Sequence, residues 1–288
     1  MTSIRSVTNV ASSIPTLEGA GVHLRRAFGV HQVPHYDPFL LLDVFHSHDP
    51  EEYRKGFPWH PHRGIETITY MLVGEVEHGD SMGNAGVIGA GDIQWMTAGN
   101  GIIHQEMPRG DMHGEMWGCQ LWANLPATDK MMSPRYQEVR AAQIPMVTFP
   151  GDVRVKVIAG EVQGVYGPVR DIMIVPEYLD VTIPAGGSFV HYIPPTHQVF
   201  AYVLTGAGFF DKAELGAQLI TTDHVLRFGE GEDIAVTAGT EAVRFLLVSG
   251  KPLHQPVAWY GPIVMNTDVE LEIAMQELEA GTFVKTQA

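Results

Sequence analysis

The sequence predicts an all-β protein made of two similar barrels, with one short helix near its end. Three observations carry this reading. Short segments rich in Val, Ile, Thr and aromatic residues recur along the chain, each bounded by Gly, Pro or Asp. Gly and Pro are abundant, at 31 and 19 residues, which favours frequent turns over long helices. Short motifs also repeat between the halves at nearly constant offset, the mark of an internal duplication. A length of 288 residues suits two domains. Apolar residues at 45% and charged residues at 18% describe a globular chain, not a disordered one.

In chain order, strands are expected at 66–73, 86–88, 92–96, 153–158, 179–183, 200–204, 233–236 and 242–248. Turn signals at 89–92, 184–187 and 229–233 fall between them, the spacing of a β-sandwich or barrel. Residues 128–140 are short and polar and are expected to be partly helical. Residues 268–280 set Val269, Ile273, Met275 and Leu278 among acidic side chains. Asn266-Thr267-Asp268 supplies an N-cap there and Gly281 a C-cap, so this stretch reads as a helix. Tyr70-Met-Leu-Val-Gly74 resembles Tyr202-Val-Leu-Thr-Gly206, an offset of 132. Asp92-Ile93 with Thr97-Ala98-Gly99 resembles Asp233-Ile234 with Thr237-Ala238-Gly239, an offset near 140. The expected division is 1–143 and 144–288, where Ile144-Pro145 and Pro150-Gly151 interrupt the pattern.

Composition excludes several classes of function. Net charge is −15 and both halves are acidic, so direct nucleic-acid binding is not expected. The single cysteine, Cys119, rules out an internal disulfide framework and a thiolate-cluster metal site. The N-terminus has no continuous apolar core, and no apolar run reaches the length of a membrane span. A soluble, cytoplasmic protein with no membrane partner is therefore the expectation. Fourteen histidines stand against this plain background, ten of them in the first 113 residues.

The chemical signal is His60-Pro61-His62. In a strand, residues i and i+2 share a face, so both imidazoles can meet one interior point. His104 and Glu106 offer the same spacing on a second segment, Gly101-Ile-Ile-His-Gln-Glu106. Two such strands facing each other give three histidines and one carboxylate. With no thiolate, that set suits Fe(II), Mn, Cu or Zn.

His-x-His-x3-Glu, then Gly-Asp-Ile and Gly-x-x-His, resembles the paired motifs of the cupin superfamily. Thr97 stands where the general pattern has Pro, and Pro108 where it often has Asn. Those departures resemble one branch, the pirin family. Its likeness also rests on Asp37-Pro-Phe-Leu-Leu-Leu-Asp43, Trp59-His-Pro-His-Arg-Gly64, Gly91-Asp-Ile-Gln-Trp-Met-Thr-Ala-Gly99 and Ile103-His-Gln-Glu-Met-Pro108. Gly250-Lys-Pro-Leu253 and Tyr260-Gly-Pro-Ile-Val-Met-Asn-Thr267 extend it almost to the C-terminus. The resemblance implies a bicupin: two double-stranded β-helix, or jelly-roll, barrels. One mononuclear divalent metal, usually iron(II), would be held by His60, His62, His104 and Glu106; Mn, Cu, Zn, Ni or Co is compatible with the same donors. In this branch the later glutamate serves as ligand, which leaves Glu66 a supporting or structural role.

Carried forward by the two offsets, the four ligand positions fall on Tyr192, Pro194, Arg244 and Leu246. None is a ligand of the same type, so the C-terminal barrel is expected to hold no metal. His191, His197 and His224 are expected to be ordinary polar positions. Ordinary core filling is the plainer reading of any one methionine, and Met96 and Met107, which flank the motif, are the better candidates to line a pocket for a flat aromatic substrate, because thioethers contact rings well. Trp59 and Trp95 are read as core residues, Arg63 as a partner of Glu66 or of solvent, and Cys119 as a buried inert thiol. Gly64, Gly99 and Gly101 are expected to allow a tight backbone. The resemblance implies a quercetin 2,3-dioxygenase-like enzyme that takes a flavonol and dioxygen, with Glu106 as the proton acceptor. Its alternative is a non-catalytic iron-binding regulator acting through a protein partner, either a transcription factor or a metabolic enzyme.

Overall fold

The computed structural model describes residues 3–211 and 218–285. The chain forms two compact units, each with a seven-stranded and a four-stranded antiparallel sheet. The N-terminal unit comprises Ile14–Pro34, Pro38–Ala141 and the chain from Leu253 onward. Its larger sheet runs, edge to edge, Arg135–Val139, Ile93–Thr97, Ile65–Val73, Met116–Asn124, Phe39–Ser47, Val22–Phe28 and Ile14–Glu18. The smaller runs Phe57–His62, Ile102–Arg109, Glu75–Asp80 and Ala85–Ile88.

Local sequence explains these assignments. Along Ile102–Arg109, buried and half-buried residues alternate, as a strand with one inward face requires. Ile65–Val73 has no such alternation, because it is buried on both faces. Phe57–His62 lies at a sheet edge, where Pro61 costs no ladder hydrogen bond. Phe45, Met71, Val76 and Met116 pack in one apolar cluster, and Ile65, Met96, Ile102 and Val264 in another.

The C-terminal unit comprises the N-terminal residues up to Ser13, His35–Asp37 and Ala142–Pro252. Its larger sheet runs Val7–Ser12, His224–Phe228, Gln198–Thr205, Val243–Gly250, Glu177–Ile183, Val153–Ala159 and Met146–Phe149. The smaller runs Ser188–Tyr192, Asp233–Ala238, Ala207–Phe209 and Ile220–Thr221. Read strand by strand, the two units repeat one plan. Valine, isoleucine, leucine and phenylalanine fill this barrel, among them Val155, Leu179, Phe189, Val236 and Phe245.

The units depart from the contiguous halves 1–143 and 144–288. The edge position taken by Arg135–Val139 in the N-terminal unit is filled in the C-terminal unit by Val7–Ser12, which pairs with His224–Phe228. Arg5 anchors this arm by donating to the carbonyls of Pro194, His197 and Gly229. The end of the chain belongs to the N-terminal unit, where Val264 donates its backbone N–H to Arg63 O at 3.1 Å. Edge strands find partners through open backbone groups, and local pattern does not encode which sheet supplies them.

The repeat is half right for a related reason. Tyr70–Gly74 and Tyr202–Gly206 end equivalent strands, and both glycines take a positive φ, 77° and 75°. The second match is coincidental. Ile93–Thr97 lies in a large sheet, whereas Asp233–Ala238 lies in a small one and is equivalent to Ile102–Arg109.

Residues 128–140 are not helical. A turn closes on Pro126 O, and Arg135–Val139 then pairs with Ile93–Thr97. The helix forms at Asp268–Glu279. Thr267 accepts from the Glu270 backbone at 3.2 Å, and the Glu270 carboxylate accepts from the Thr267 backbone at 2.8 Å, a capping box. Its packed stripe is Leu271, Ala274, Met275 and Leu278, whereas Val269 and Ile273 are exposed. Among the described residues, no helix is long and apolar enough to cross a membrane.

Candidate metal centre

The antiparallel register sets His104 directly opposite His60, and Ile102 opposite His62. Strand alternation turns the three imidazoles to one face. His60 Nε2 lies 3.0 Å from His62 Nε2 and 3.0 Å from His104 Nε2. His60 Nδ1 donates to Pro58 O at 2.9 Å, and His62 Nδ1 donates to Pro262 O at 3.1 Å. A carbonyl can only accept, so each ring carries a proton on Nδ1 and turns its Nε2 toward the others. Burial, with His60 and His104 nearby, drives the His62 pKa well below its usual value. Burial, with His60 and His78 nearby, does the same for His104.

Lone pairs held this close repel one another unless a cation lies between them. Two nitrogens about 2.1 Å from one ion lie about 3.0 Å apart at a right angle and about 3.4 Å apart at a tetrahedral angle. The observed spacing fits the right-angled case. Carbonyls that fix the far nitrogen of each ring are the usual support of a metal-binding imidazole. The donor set therefore fits a divalent ion.

Glu106 shares the inward face of His104, two residues on. Its Oε2 lies 4.0 Å from His104 Nε2, at the rim of the triad. Thr69 Oγ1 donates to Oε1 at 3.2 Å, and Gln120 Nε2 reaches both carboxylate oxygens at 3.0 Å. Gln120 is itself oriented by Trp122 Nε1, which donates to its Oε1 at 2.9 Å. Thr69 and Gln120 escape a reading by motif because no ligand motif contains them. The available signal is the inward parity of Gln120 and Trp122 along one strand.

Glu66 lies elsewhere. Gly64, at φ +78°, breaks the alternation between the two sheets, so Glu66 does not continue the face of His60 and His62. It is fully buried and accepts from Thr97 Oγ1 at 2.6 Å. Burial raises its pKa, with Thr97, Trp95 and Arg135 opposing. A Cβ at Gly64 would stand 1.9 Å from Val264 O, and one at Gly99 would stand 2.1 Å from Met132 O, so both positions require glycine. Arg63 does not pair with Glu66. It is buried against the Phe283 ring at 4.1 Å and bridges to Glu277 at 2.7 Å.

A cavity of about 640 Å³ opens onto His60, His62 and Glu106. Its wall is aromatic, not sulfur-rich: Phe57, Trp122, Trp259 and Tyr260 line it, and none of the described methionines does. Met96 is buried in the apolar core, and Met107 points away from Glu106 by strand parity. Trp122 meets His62 edge-on at 5.2 Å and lies 5.9 Å from Trp259. At the rim, Arg26 grips Asp43 through two hydrogen bonds of 2.8 and 2.7 Å. Burial raises the Asp43 pKa, and Arg26 opposes the rise. Trp59 is 55% exposed rather than core, whereas Trp95 and Cys119 are buried as expected.

In the C-terminal barrel the equivalent strands are Ser188–Tyr192 and Asp233–Ala238. The inward pair His191–Ile234 corresponds to His60–His104, and Ile193, whose backbone N–H donates to Glu232 O, takes the place of His62. Val236 takes the place of Glu106. This replaces the expected correspondence with Tyr192, Pro194, Arg244 and Leu246. One imidazole survives, His191, and its Nε2 lies 3.0 Å from Glu177.

Comparison with known proteins places the fold in a family. The pirin family model matches residues 21–123, and the model of the pirin C-terminal cupin domain matches 178–284. A pirin-like protein of Caulobacter vibrioides is 41% identical over 97% of this chain and 99% of its own length. A quercetin 2,3-dioxygenase from Acinetobacter baumannii superposes with a TM-score of 0.89 at 31% identity, covering 98% of this chain and 99% of that one. A bacterial pirin from Escherichia coli, solved with nickel(II), shares the fold at a TM-score of 0.61 and 22% identity, over 88% of this chain and 100% of that one.

Proposed function

The chain belongs to the pirin family, and on that premise we propose that its N-terminal barrel is a metal-dependent dioxygenase that cleaves flavonols such as quercetin. One observation carries this reading: three Nε2 atoms meet beside Glu106 on the wall of an aromatic-lined cavity. His60, His62, His104 and Glu106 hold the ion, with iron(II) as the first choice. The C-terminal barrel holds none. When bound, a divalent ion lowers the pKa of a coordinated hydroxyl and leaves positions open for dioxygen.

The remaining work falls to the chain. A cavity of about 640 Å³ suits a small flat molecule. Trp122 and Trp259 bury the substrate's rings and exclude water. Glu106 accepts the substrate's enol proton at a carboxylate oxygen. Thr69 and Gln120 hold that carboxylate in position.

The test is oxygen uptake and carbon monoxide release with quercetin, for the wild type and for His62→Ala. Turnover in the wild type that the variant loses is the expected result. A variant with wild-type turnover would place the reaction elsewhere.

A further inference from the structure

Seven of the ten N-terminal histidines stand outside the barrel centre, and two of them meet at one place. Strands Phe39–Ser47 and Met116–Asn124 pair with His46 opposite Trp117. Asp43 and Gln120 on these strands line the cavity. His46 lies three residues from Asp43, and Trp117 three from Gln120, so both face out of the barrel. His48 follows His46 by two residues, and Glu115 precedes Trp117 by two. All four therefore crowd one outer patch of the same two-stranded ribbon.

The patch is ordered. The His46 ring stacks on Trp117, with centroids 4.7 Å apart and planes 18° from parallel. That orientation brings His46 Nε2 to 3.0 Å from Glu115 Oε1. The His48 ring centroid is 5.6 Å from that of His46. One donor atom from each of His46, His48 and Glu115 lies within 4.8 Å of the other two. Asp111 holds the Glu115 loop from behind, accepting the backbone N–H groups of His113 and Glu115 at 2.8 and 2.9 Å.

We propose that His46, His48 and Glu115 form a second, exposed site for a borderline divalent cation, with zinc as its best-suited ion. Two imidazoles and a carboxylate without thiolate select Zn, Ni, Co or Cu over Mg or Ca. Two histidines and a glutamate are an established zinc donor set, with water completing the shell. Side-chain exposure of 46% at His46 and 26% at Glu115 leaves room for that water. The ion would take the place of the present His46–Glu115 contact. The site is on the outer face of the sheet and does not depend on the reading of the barrel centre.

Equilibrium dialysis of the holoprotein against zinc, followed by elemental analysis, tests this. The wild type should take up one zinc per chain beyond its resident metal. His46→Ala/His48→Ala, changed at solvent-facing positions, should bind that zinc more than about tenfold more weakly and keep the resident metal. Glu115→Gln should weaken it in the same direction, and cobalt(II) should give a visible spectrum that the double variant lacks. The proposal is overturned if the wild type takes up no further zinc, or if the double variant takes up as much as the wild type. Either result would leave a plain His46–Glu115 ion pair.

Discussion

The two barrels follow one strand order and part company at four inward positions. His60, His62, His104 and Glu106 in the N-terminal barrel correspond to His191, Ile193, Ile234 and Val236 in the C-terminal one. Ile193, Ile234 and Val236 join the apolar core, and the surviving His191 is paired with Glu177. The barrel thus stands on its remaining apolar residues, and the donor cluster is an addition to it. Such an addition is costly, because buried imidazoles and a buried carboxylate must find partners or an ion. The C-terminal barrel shows the fold without that cost, and fold alone therefore says little about chemistry.

The sharpest way to break the comparison is to remove one donor from each barrel. His62→Ala should abolish resident metal by elemental analysis, whereas His191→Ala should leave it unchanged. Equal metal loss in both would end the distinction. The converse is to build the missing donors: Ile193→His, Ile234→His and Val236→Glu, alongside His191, should add one bound divalent ion per chain. Without metal this variant should lose several kcal/mol of stability, read by denaturant titration, because polar groups replace core.

Backbone demands differ as well. Gly64→Ala meets Val264 O and a positive φ together and should cost about 3 kcal/mol or more. Gly186→Ala, at φ +67° with nothing within 4 Å, should cost about 1 kcal/mol. Similar costs in urea titrations would show that the Val264 contact yields easily.

A further effect is one of pH. Lys130, buried in the N-terminal unit, donates to Gly64 O, Asn124 Oδ1 and Val264 O. Burial lowers its pKa from 10.5 to about 7. Between those values the unfolded chain binds the extra proton, so stability should rise with pH across the window and level off below the lower value. Lys130→Met should lack this rise. Parallel Tm–pH curves for the two proteins would sink the assignment.

Much of the site is legible in the amino-acid order. His60, His62 and His104 follow from strand parity, because alternation is a local rule that holds wherever a strand forms. Met96 and Met107 mislead because composition near a motif does not say which face a residue takes. Residues 128–140 mislead because a polar stretch with weak periodicity becomes a strand once Ile93–Thr97 offers it an edge. Trp259 and Tyr260, more than 150 positions from His104, reach the cavity only because the chain end packs into the N-terminal unit.

Residues close along the chain are enough to specify the all-β class, the capped helix at its end and the three imidazoles. Long-range packing is needed to bring Val7–Ser12 to the C-terminal sheet, to set Gln120 and Thr69 against Glu106, and to stand Ile193 and Ile234 where histidines could have been. These depend on register and on which distant edge a strand meets. Backbone hydrogen bonds are the same for every residue, so only packing of the whole molecule selects among the possible pairings.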